Sequence, residues 1–284
     1  VFFNMQFKPV SNCFISCDEP YESANNVIMG VPYDGTCSFR PGSRFAPDAV
    51  RSSSYGIETY SPRLDRDLEN LKICDIGDLS LSFGNKQNIL GTIETAAVEI
   101  LGAGKRLISI GGEHLITLPL FNALVSTLKT KDICVVHLDA HTDLRDDYMG
   151  EKLSHATVIK RIGEIVGFDH IFQYGIRSGT KEEFDLIKKT GTMKTGFQEL
   201  VEAVKGRPVY LTIDLDVLDP SCFPGTGTPE PGGWQFSEFY NLFNVVRYLN
   251  VKAADVVELS PHYDHSGVSS VTASKVLREL ILSF

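Results

Sequence analysis

No stretch of this 284-residue chain approaches the length of a membrane-spanning run. A helix that crosses a bilayer needs roughly 20 consecutive apolar residues, so a helical membrane protein is not expected. Basic residues are also in short supply. The 27 Lys and Arg stand against 36 Asp and Glu, a net charge of −9, and no basic patch interrupts that balance. Nucleic acid is therefore not the expected partner, because phosphate backbones are held by clustered positive charge. A small cationic ligand suits the charge better. No Cys-x-x-Cys pair occurs among Cys13, Cys17, Cys37, Cys74, Cys134 and Cys222. Cys13 and Cys17 are four apart with no second half of a zinc site downstream, and several of the six sit in apolar runs as buried thiols do. The N-terminus, where four residues precede Met5, has neither the basic start nor the apolar middle of a secretory signal. A cytoplasmic protein is the expectation. Internal repeats, low-complexity tracts and linker-like shifts of composition are absent, which leaves one catalytic-size domain over residues 1–284 as the simplest organisation.

What is present is an alternation. Apolar runs of strand length fall near 26–31, 72–76, 106–110, 133–138, 170–174, 208–213 and 253–257, with a weaker one at 191–195. Amphipathic segments of helix length fall near 46–55, 87–103, 116–128, 155–166, 180–189, 197–204, 236–248 and 269–282. Strand–helix alternation predicts βαβ units, hence an α/β fold with a mostly parallel sheet and helices on both faces. In such folds the chemistry gathers beyond the carboxyl ends of the strands.

Polar residues appear at those ends. The run at 106–110 leads into Gly111-Gly112-Glu113-His114, and that at 133–138 leads into Asp139-Ala140-His141-Thr142-Asp143. The run at 208–213 leads into Asp214-Leu215-Asp216, and that at 253–257 into Glu258. In extended chain, side chains two apart share a face, so Asp139, His141 and Asp143 can converge, as can Asp214 and Asp216. His114, Asp139, His141, Asp143, Asp214 and Asp216 together offer four carboxylates, two imidazoles and no thiol. Hard oxygen donors with some imidazole suit Mn²⁺, and less specifically Fe²⁺, Co²⁺, Ni²⁺ or Zn²⁺. Six ligands exceed the need of one catalytic ion, and four carboxylates nearly neutralise two divalent ions. A pair of ions lowers the pKa of water towards neutrality, so the expected chemistry is hydrolysis. A lone Asp-x-Asp is usually a turn and a lone Gly-Gly-Glu-His a tight bend before a helix; it is their coincidence at the ends of one sheet that argues for a site. His137 shares the parity of the ligands but lies deeper in its strand, and it reads as a hydrogen-bonded core histidine.

These motifs resemble the ureohydrolase family, which includes arginases and agmatinases. The resemblance is carried by Ile110–His114, Leu138–Asp143 and Thr212–Asp216, continues through Leu218-Asp219-Pro220, Pro224-Gly225 and Gly232-Gly233, and covers essentially the whole chain. It implies a three-layer αβα sandwich with an eight-stranded, mostly parallel sheet. It also implies two Mn²⁺ ions per subunit and hydrolysis of a guanidino group to urea and an amine. By the same resemblance, His114, Asp139, Asp143 and Asp214 hold one ion and Asp139, His141, Asp214 and Asp216 the other, with Asp139 and Asp214 bridging. His155, in Leu153-Ser154-His155-Ala156-Thr157, matches the proton shuttle; on its own it would read as a solvated histidine after the N-cap Ser154. Glu258 matches the guanidinium anchor, Asp143 assists proton transfer, and a homo-oligomer, trimer or hexamer, is implied.

Within the family the resemblance is closest to the agmatinase branch, through Gly30–Asp34, Arg40–Arg44, Leu144–Tyr148, Ser154–Thr157 and Gly225–Glu230. Agmatine is a dication, and Asp146, Asp147 or Glu230 could receive its distal ammonium as readily as they could be solvated surface acids. Arg145 cuts the other way if it faces the pocket, where it would meet the carboxylate of guanidinobutyrate or guanidinopropionate; pairing with a neighbouring acid is the favoured reading. The rivals are a guanidinobutyrase, guanidinopropionase or formiminoglutamase, a single-zinc deacetylase of related fold, and an inactive homologue acting as a binding subunit. The last two fit poorly, because the full set of six ligands is present.

Overall fold

Alternate residues of the central strands feed two separate cores, one on each face of the sheet. The structure, a computed structural model, describes residues 7–8 and 10–284; the residues ahead of Met5, on which the reading of the N-terminus partly rests, lie outside the described residues. Its strands are β1 (Phe7–Lys8), β2 (Asn26–Val31), β3 (Tyr60–Ser61), β4 (Arg66–Asp67), β5 (Ile73–Leu79), β6 (Arg106–Gly111), β7 (Cys134–Leu138), β8 (Ile171–Tyr174), β9 (Pro208–Asp214) and β10 (Asn250–Val257). Its helices are α1 (Ala46–Ser54), α2 (Lys86–Gly102), α3 (Thr117–Leu128), α4 (Val158–Val166), α5 (Lys181–Thr190), α6 (Leu200–Val204), α7 (Phe236–Phe239), α8 (Phe243–Val246) and α9 (Val268–Leu282). In β9, Val209, Leu211 and Ile213 point into a core shared with α1 and α6–α9, while Tyr210 points into the core shared with α2–α5. Period-2 alternation in a strand covered on both sides produces this split. Each fully buried Val, Leu or Ile contributes roughly 1.5–3 kcal/mol before ordering entropy is subtracted.

The sheet runs β1-β5-β2-β6-β10-β9-β7-β8. All its pairings are parallel except β1 with β5, in which Phe7 faces Leu79. The α/β fold with an eight-stranded, mostly parallel sheet between two helical layers is therefore what the sequence predicts, but the eighth strand is not the expected one. Residues 191–195 contribute a single bridge, Gln173 to Met193, because Gly191 turns left-handed (φ 68°) to close α5 and only one residue then reaches the sheet. The missing strand is β1, at the opposite edge. The helix expected over 236–248 also divides into α7, a 3-10 turn at Tyr240–Leu242, and α8. That segment is rich in Phe, Tyr, Asn and Val, which favour helix weakly. Its tighter turn stacks Phe239 and Tyr240 edge-on against Phe243, at 5.7 and 5.5 Å between ring centres.

Four strands whose ends carry the candidate ligands, β6, β10, β9 and β7, are adjacent and mutually parallel. Their carboxyl ends therefore lie side by side along one edge of the sheet.

Candidate metal centre and active site

Each strand end releases its polar residues through a short irregular turn. After β6, Gly111 and Gly112 let the chain pass close beneath the segment following β2. A Cβ at Gly112 would fall 1.7 Å from the Tyr33 carbonyl oxygen, and Glu113 N–H donates to that same oxygen (2.7 Å). This close approach is the physical reason for a glycine there. His114 opens a 3-10 turn at His114–Ile116 that runs into α3. Beyond β7 and β10, Asp143 and Glu258 take left-handed backbone conformations (φ 51° and 66°), which are uncommon for residues other than glycine and concentrate at functional sites.

These turns bring the ligand candidates into two groups that share Asp139. His114 Nδ1 lies 3.1 Å from Asp139 Oδ2, 3.1 Å from Asp143 Oδ2 and 3.3 Å from Asp214 Oδ2. His141 Nδ1 lies 3.0 Å from Asp216 Oδ2 and 3.4 Å from Asp139 Oδ1. Asp139 thus offers one oxygen to each group. Asp214 Oδ1 accepts the Asp216 N–H (2.9 Å), which turns its Oδ2 towards the first group.

Hydrogen bonding assigns the imidazole tautomers. The Thr212 hydroxyl gives its proton to Asp255 Oδ1 (2.6 Å), so its oxygen accepts from His114 Nε2–H (2.9 Å). In the neutral ring that leaves His114 Nδ1 as a lone pair, and among the described residues this buried nitrogen has no hydrogen-bond partner. Against burial, the Asp139, Asp143 and Asp214 carboxylates hold its pKa well above the ordinary value, a demand for positive charge at this point. A lone pair surrounded by three carboxylate oxygens repels all of them unless a cation sits between. His137 is different. Gln173 Nε2 donates to the Thr142 carbonyl (2.8 Å) and to His137 Nδ1 (3.1 Å), so His137 Nε2 carries the proton and donates to Asp139 Oδ2 (2.8 Å). A protonated nitrogen is not a ligand, so His137 orients Asp139 from within the core, and burial lowers its pKa.

Electrostatics point the same way. Burial pushes the Asp143 carboxyl up to about 7, with the Asp139 charge adding to it. Burial and then Asp216 drive Asp214 well above the carboxylate range, and burial and then Glu113 do the same for Glu258. Several acids packed together out of water resist ionising together. Two divalent cations would supply the missing charge, and the oxygen-rich donor set fits them.

A cavity of about 260 Å³ opens onto this cluster, lined by His114, His141, Asp143, Asp214, His155 and Glu258 among others. Glu258 Oε1 accepts the His114 N–H (2.7 Å), which leaves Oε2 for a ligand. His155 begins the 3-10 turn before α4 and is half-buried, with its Nδ1 3.2 Å from Thr36 Oγ1 and its ring edge-on to Tyr148. Its imidazole is pushed down to about 4, chiefly by burial.

The mouth is less as expected. Asp146 is paired with Arg161 (2.6 Å) and points outward, and Asp147 accepts from Gly150 N–H (2.9 Å). Both border the neighbouring surface hollow. Arg177 holds the Glu230 carbonyl (2.7 Å), and the Glu230 side chain does not line the cavity. Arg145 does line it, with its guanidinium over Tyr148 (4.7 Å) and its Nε 3.7 Å from Glu183. Glu183 is the acid that sequence reading missed. It forms a capping box with Thr180 at the start of α5 and accepts the Leu144 N–H (3.1 Å). Thr180-x-x-Glu183 was legible as a cap, but nothing local says that the cap faces the cavity.

Comparison with known proteins agrees with this geometry. The family model described as the arginase family matches residues 24–283. The chain belongs to the arginase family. The agmatinase of Bacillus subtilis is 46% identical, over 95% of this chain and 96% of its own. A crystallised Clostridium difficile protein is 51% identical and superposes with a TM-score of 0.89, covering 93% of this chain and 98% of its own. The agmatine ureohydrolase of Thermoplasma volcanium is 32% identical with a TM-score of 0.85, covering 97% and 94%. The protein is accordingly a hydrolase of the ureohydrolase type, an enzyme acting on carbon–nitrogen bonds of amidino groups.

Proposed function

We propose that the protein is an agmatinase, hydrolysing agmatine to putrescine and urea in polyamine metabolism. The observation that carries this reading is the bare His114 Nδ1 among three carboxylate oxygens beside the unengaged Oε2 of Glu258. The relatives that bear the same name support the choice of substrate. His114, Asp139, Asp143 and Asp214 would hold one Mn²⁺, and Asp139, His141, Asp214 and Asp216 a second. When bound, the two ions would supply a water that ionises near neutral pH and an electrostatic field for the charge that builds on the guanidino group.

The chain's own residues do the rest. Glu258, held at one oxygen by His114 N–H, uses the other to accept from the guanidinium, a charge-assisted contact that fixes the plane of the substrate and presents its carbon. Asp143 stands where it can take a proton as water adds to that carbon. His155 lines the cavity with Nδ1 turned to Thr36, so Nε2 faces the substrate and can deliver a proton to the departing amine. Both protons of the added water end on the departing nitrogen, one passed on by Asp143 and one picked up and delivered by His155 Nε2. Agmatine and water thus give urea and the putrescine dication, and both residues return to their starting protonation.

Among the described residues no helix is long and apolar enough to cross a membrane. A cytoplasmic homo-oligomer, a trimer or hexamer, belongs to the same proposal. The test is urea release from Mn²⁺-loaded protein with agmatine, arginine, guanidinobutyrate and guanidinopropionate side by side. Agmatine is expected to be preferred. A preference for either carboxylate substrate would keep the chemistry, overturn the substrate, and make Arg145 the residue that selects it. No urea from any of the four, with metal bound, would overturn the reading.

A further inference from the structure

Glu113 is fully buried, sits between the two glycines and His114, and has no part in the mechanism above. Its carboxylate is nevertheless well occupied. Oε2 accepts the Thr36 backbone N–H (2.7 Å) and Oε1 accepts the Thr36 hydroxyl (2.6 Å). The Thr36 oxygen also lies 3.1 Å from His155 N and 3.2 Å from His155 Nδ1. A threonine hydroxyl has one proton, and here it is given to Glu113. Its oxygen can then only accept from His155, from the backbone N–H and from Nδ1–H.

From this we propose that Glu113 and Thr36 are positioning residues for His155, a carboxylate–hydroxyl–imidazole chain, buried at its Glu113 end, that keeps the ring proton on Nδ1 and the bare Nε2 turned to the cavity. The inference rests on the reading of His155 as the proton carrier. The device has three parts with separate tasks. Glu113, anchored through its backbone to Tyr33 and through its side chain to the Thr36 N–H, fixes the loop that follows β2. Thr36 passes the polarity of that carboxylate on to the ring. When His155 holds a second proton, its Nδ1–H still donates to an oxygen whose own proton is committed, so the chain stabilises the charged ring as well as orienting the neutral one. Gly112 allows the approach, since any side chain there would drive Tyr33 and its loop away.

The chain makes an unusual prediction for Glu113→Gln. A glutamine has one acceptor and one donor end. The Thr36 N–H claims the acceptor, so the amide NH₂ must donate to Thr36 Oγ1. The Thr36 hydroxyl then turns to His155 Nδ1, and the ring proton moves to Nε2. The conservative variant therefore inverts the tautomer instead of merely loosening it.

The experiment is a double-mutant cycle on metal-loaded protein, with metal content measured for every variant and agmatine as substrate. Thr36→Val removes the hydroxyl and keeps the backbone bond to Glu113. It should lower kcat roughly tenfold or more with KM changed by less than about twofold, while Thr36→Ser recovers most of the rate. On a His155→Ala background, Thr36→Val should cost nothing further, because a residue acting through His155 cannot act without it. Imidazole ¹⁵N shifts of metal-free protein, with His155 assigned by its loss in His155→Ala, should show the proton on Nδ1 in the wild type and on Nε2 in Glu113→Gln. Equal losses from Thr36→Val with and without His155, an unchanged kcat, or a wild-type ring protonated on Nε2 would each overturn the proposal. Should Thr36→Val not fold, the Ser variant and the tautomer measurement decide alone. If His155→Ala turns over at the wild-type rate, the reading of His155 fails first. If it is slow while Thr36→Val is fast, only the present inference fails.

Discussion

An imidazole nitrogen walled in by three carboxylate oxygens at 3.1–3.3 Å is a contact that calls for a positive charge between them. The same residues show which single changes separate metal binding from chemistry. Asp139 gives one oxygen to each group, so Asp139→Ala should empty both positions. Loss of an outer residue around a metal already costs about 10–100-fold, so turnover should fall by at least about 100-fold. Metal analysis of the purified variant checks this, and a variant that keeps two ions would remove Asp139 from the ligand set. Glu258 lies outside the ligand set and makes the opposite prediction. Glu258→Gln should keep its metal and lose roughly 10–100-fold in kcat/KM for agmatine, the worth of one hydrogen bond to a charged partner. Parallel urea and metal assays distinguish the two; metal lost along with rate in Glu258→Gln would mean that it supports the cluster and not the substrate. His155→Ala should retain both ions while kcat falls by about 100-fold or more, and a wild-type rate would remove His155 from the mechanism.

At the scale of elements, the turns after the strands matter more than the strands. Gly112 is the tightest point: a Cβ would meet the Tyr33 carbonyl oxygen at 1.7 Å and its carbon at 2.6 Å, both backbone atoms that cannot rotate aside. Gly112→Ala should separate the loops after β2 and β6 and destabilise the metal-free protein by about 1–3 kcal/mol, the usual cost of overpacking, read from the urea midpoint. A midpoint equal to wild type would show that the loops part without strain. What was legible in the sequence follows from the same physics. Strand ends in a parallel sheet share an edge, so Asp139 after β7 and Asp214 at the end of β9 could be read from local pattern. The left-handed Asp143 and the 3-10 turn at Leu215–Val217 bring their neighbours in by turn geometry and not by extended parity. Thr36 and Glu113 are 77 positions apart and Thr36 and His155 are 119, so no periodicity couples them. Asp255 did carry a signal, an acid inside the apolar run of β10, and it is buried under donors from Thr117, Thr212 and Tyr210. β1 has two described residues, too few to show any alternation, and its place on the edge comes from tertiary pairing.

For the molecule as a whole, the cluster ties together β6, β10, β9 and β7, four adjacent strands none of which is an edge of the sheet, whose ends lead into site residues from 114 to 258 of the chain. A ligand that binds only the folded state stabilises it by RT ln(1 + [L]/Kd), about 4 kcal/mol at a thousand times Kd. Because the bound elements are interior strands of the sheet and not a peripheral lid, the gain should appear in global unfolding. For a chain of this size each kcal/mol moves the midpoint by about 2–4 °C, so removing metal with a chelator should lower Tm by roughly 8–15 °C, with full recovery on adding Mn²⁺. Asp139→Ala should begin at the lower Tm and ignore both chelator and Mn²⁺, which separates loss of the site from a general effect of chelator. Wild-type protein stripped of metal yet melting at the loaded temperature would require the buried carboxylates to be held by their own hydrogen bonds. The four-strand edge would then be a rigid site that the ions enter without supporting it.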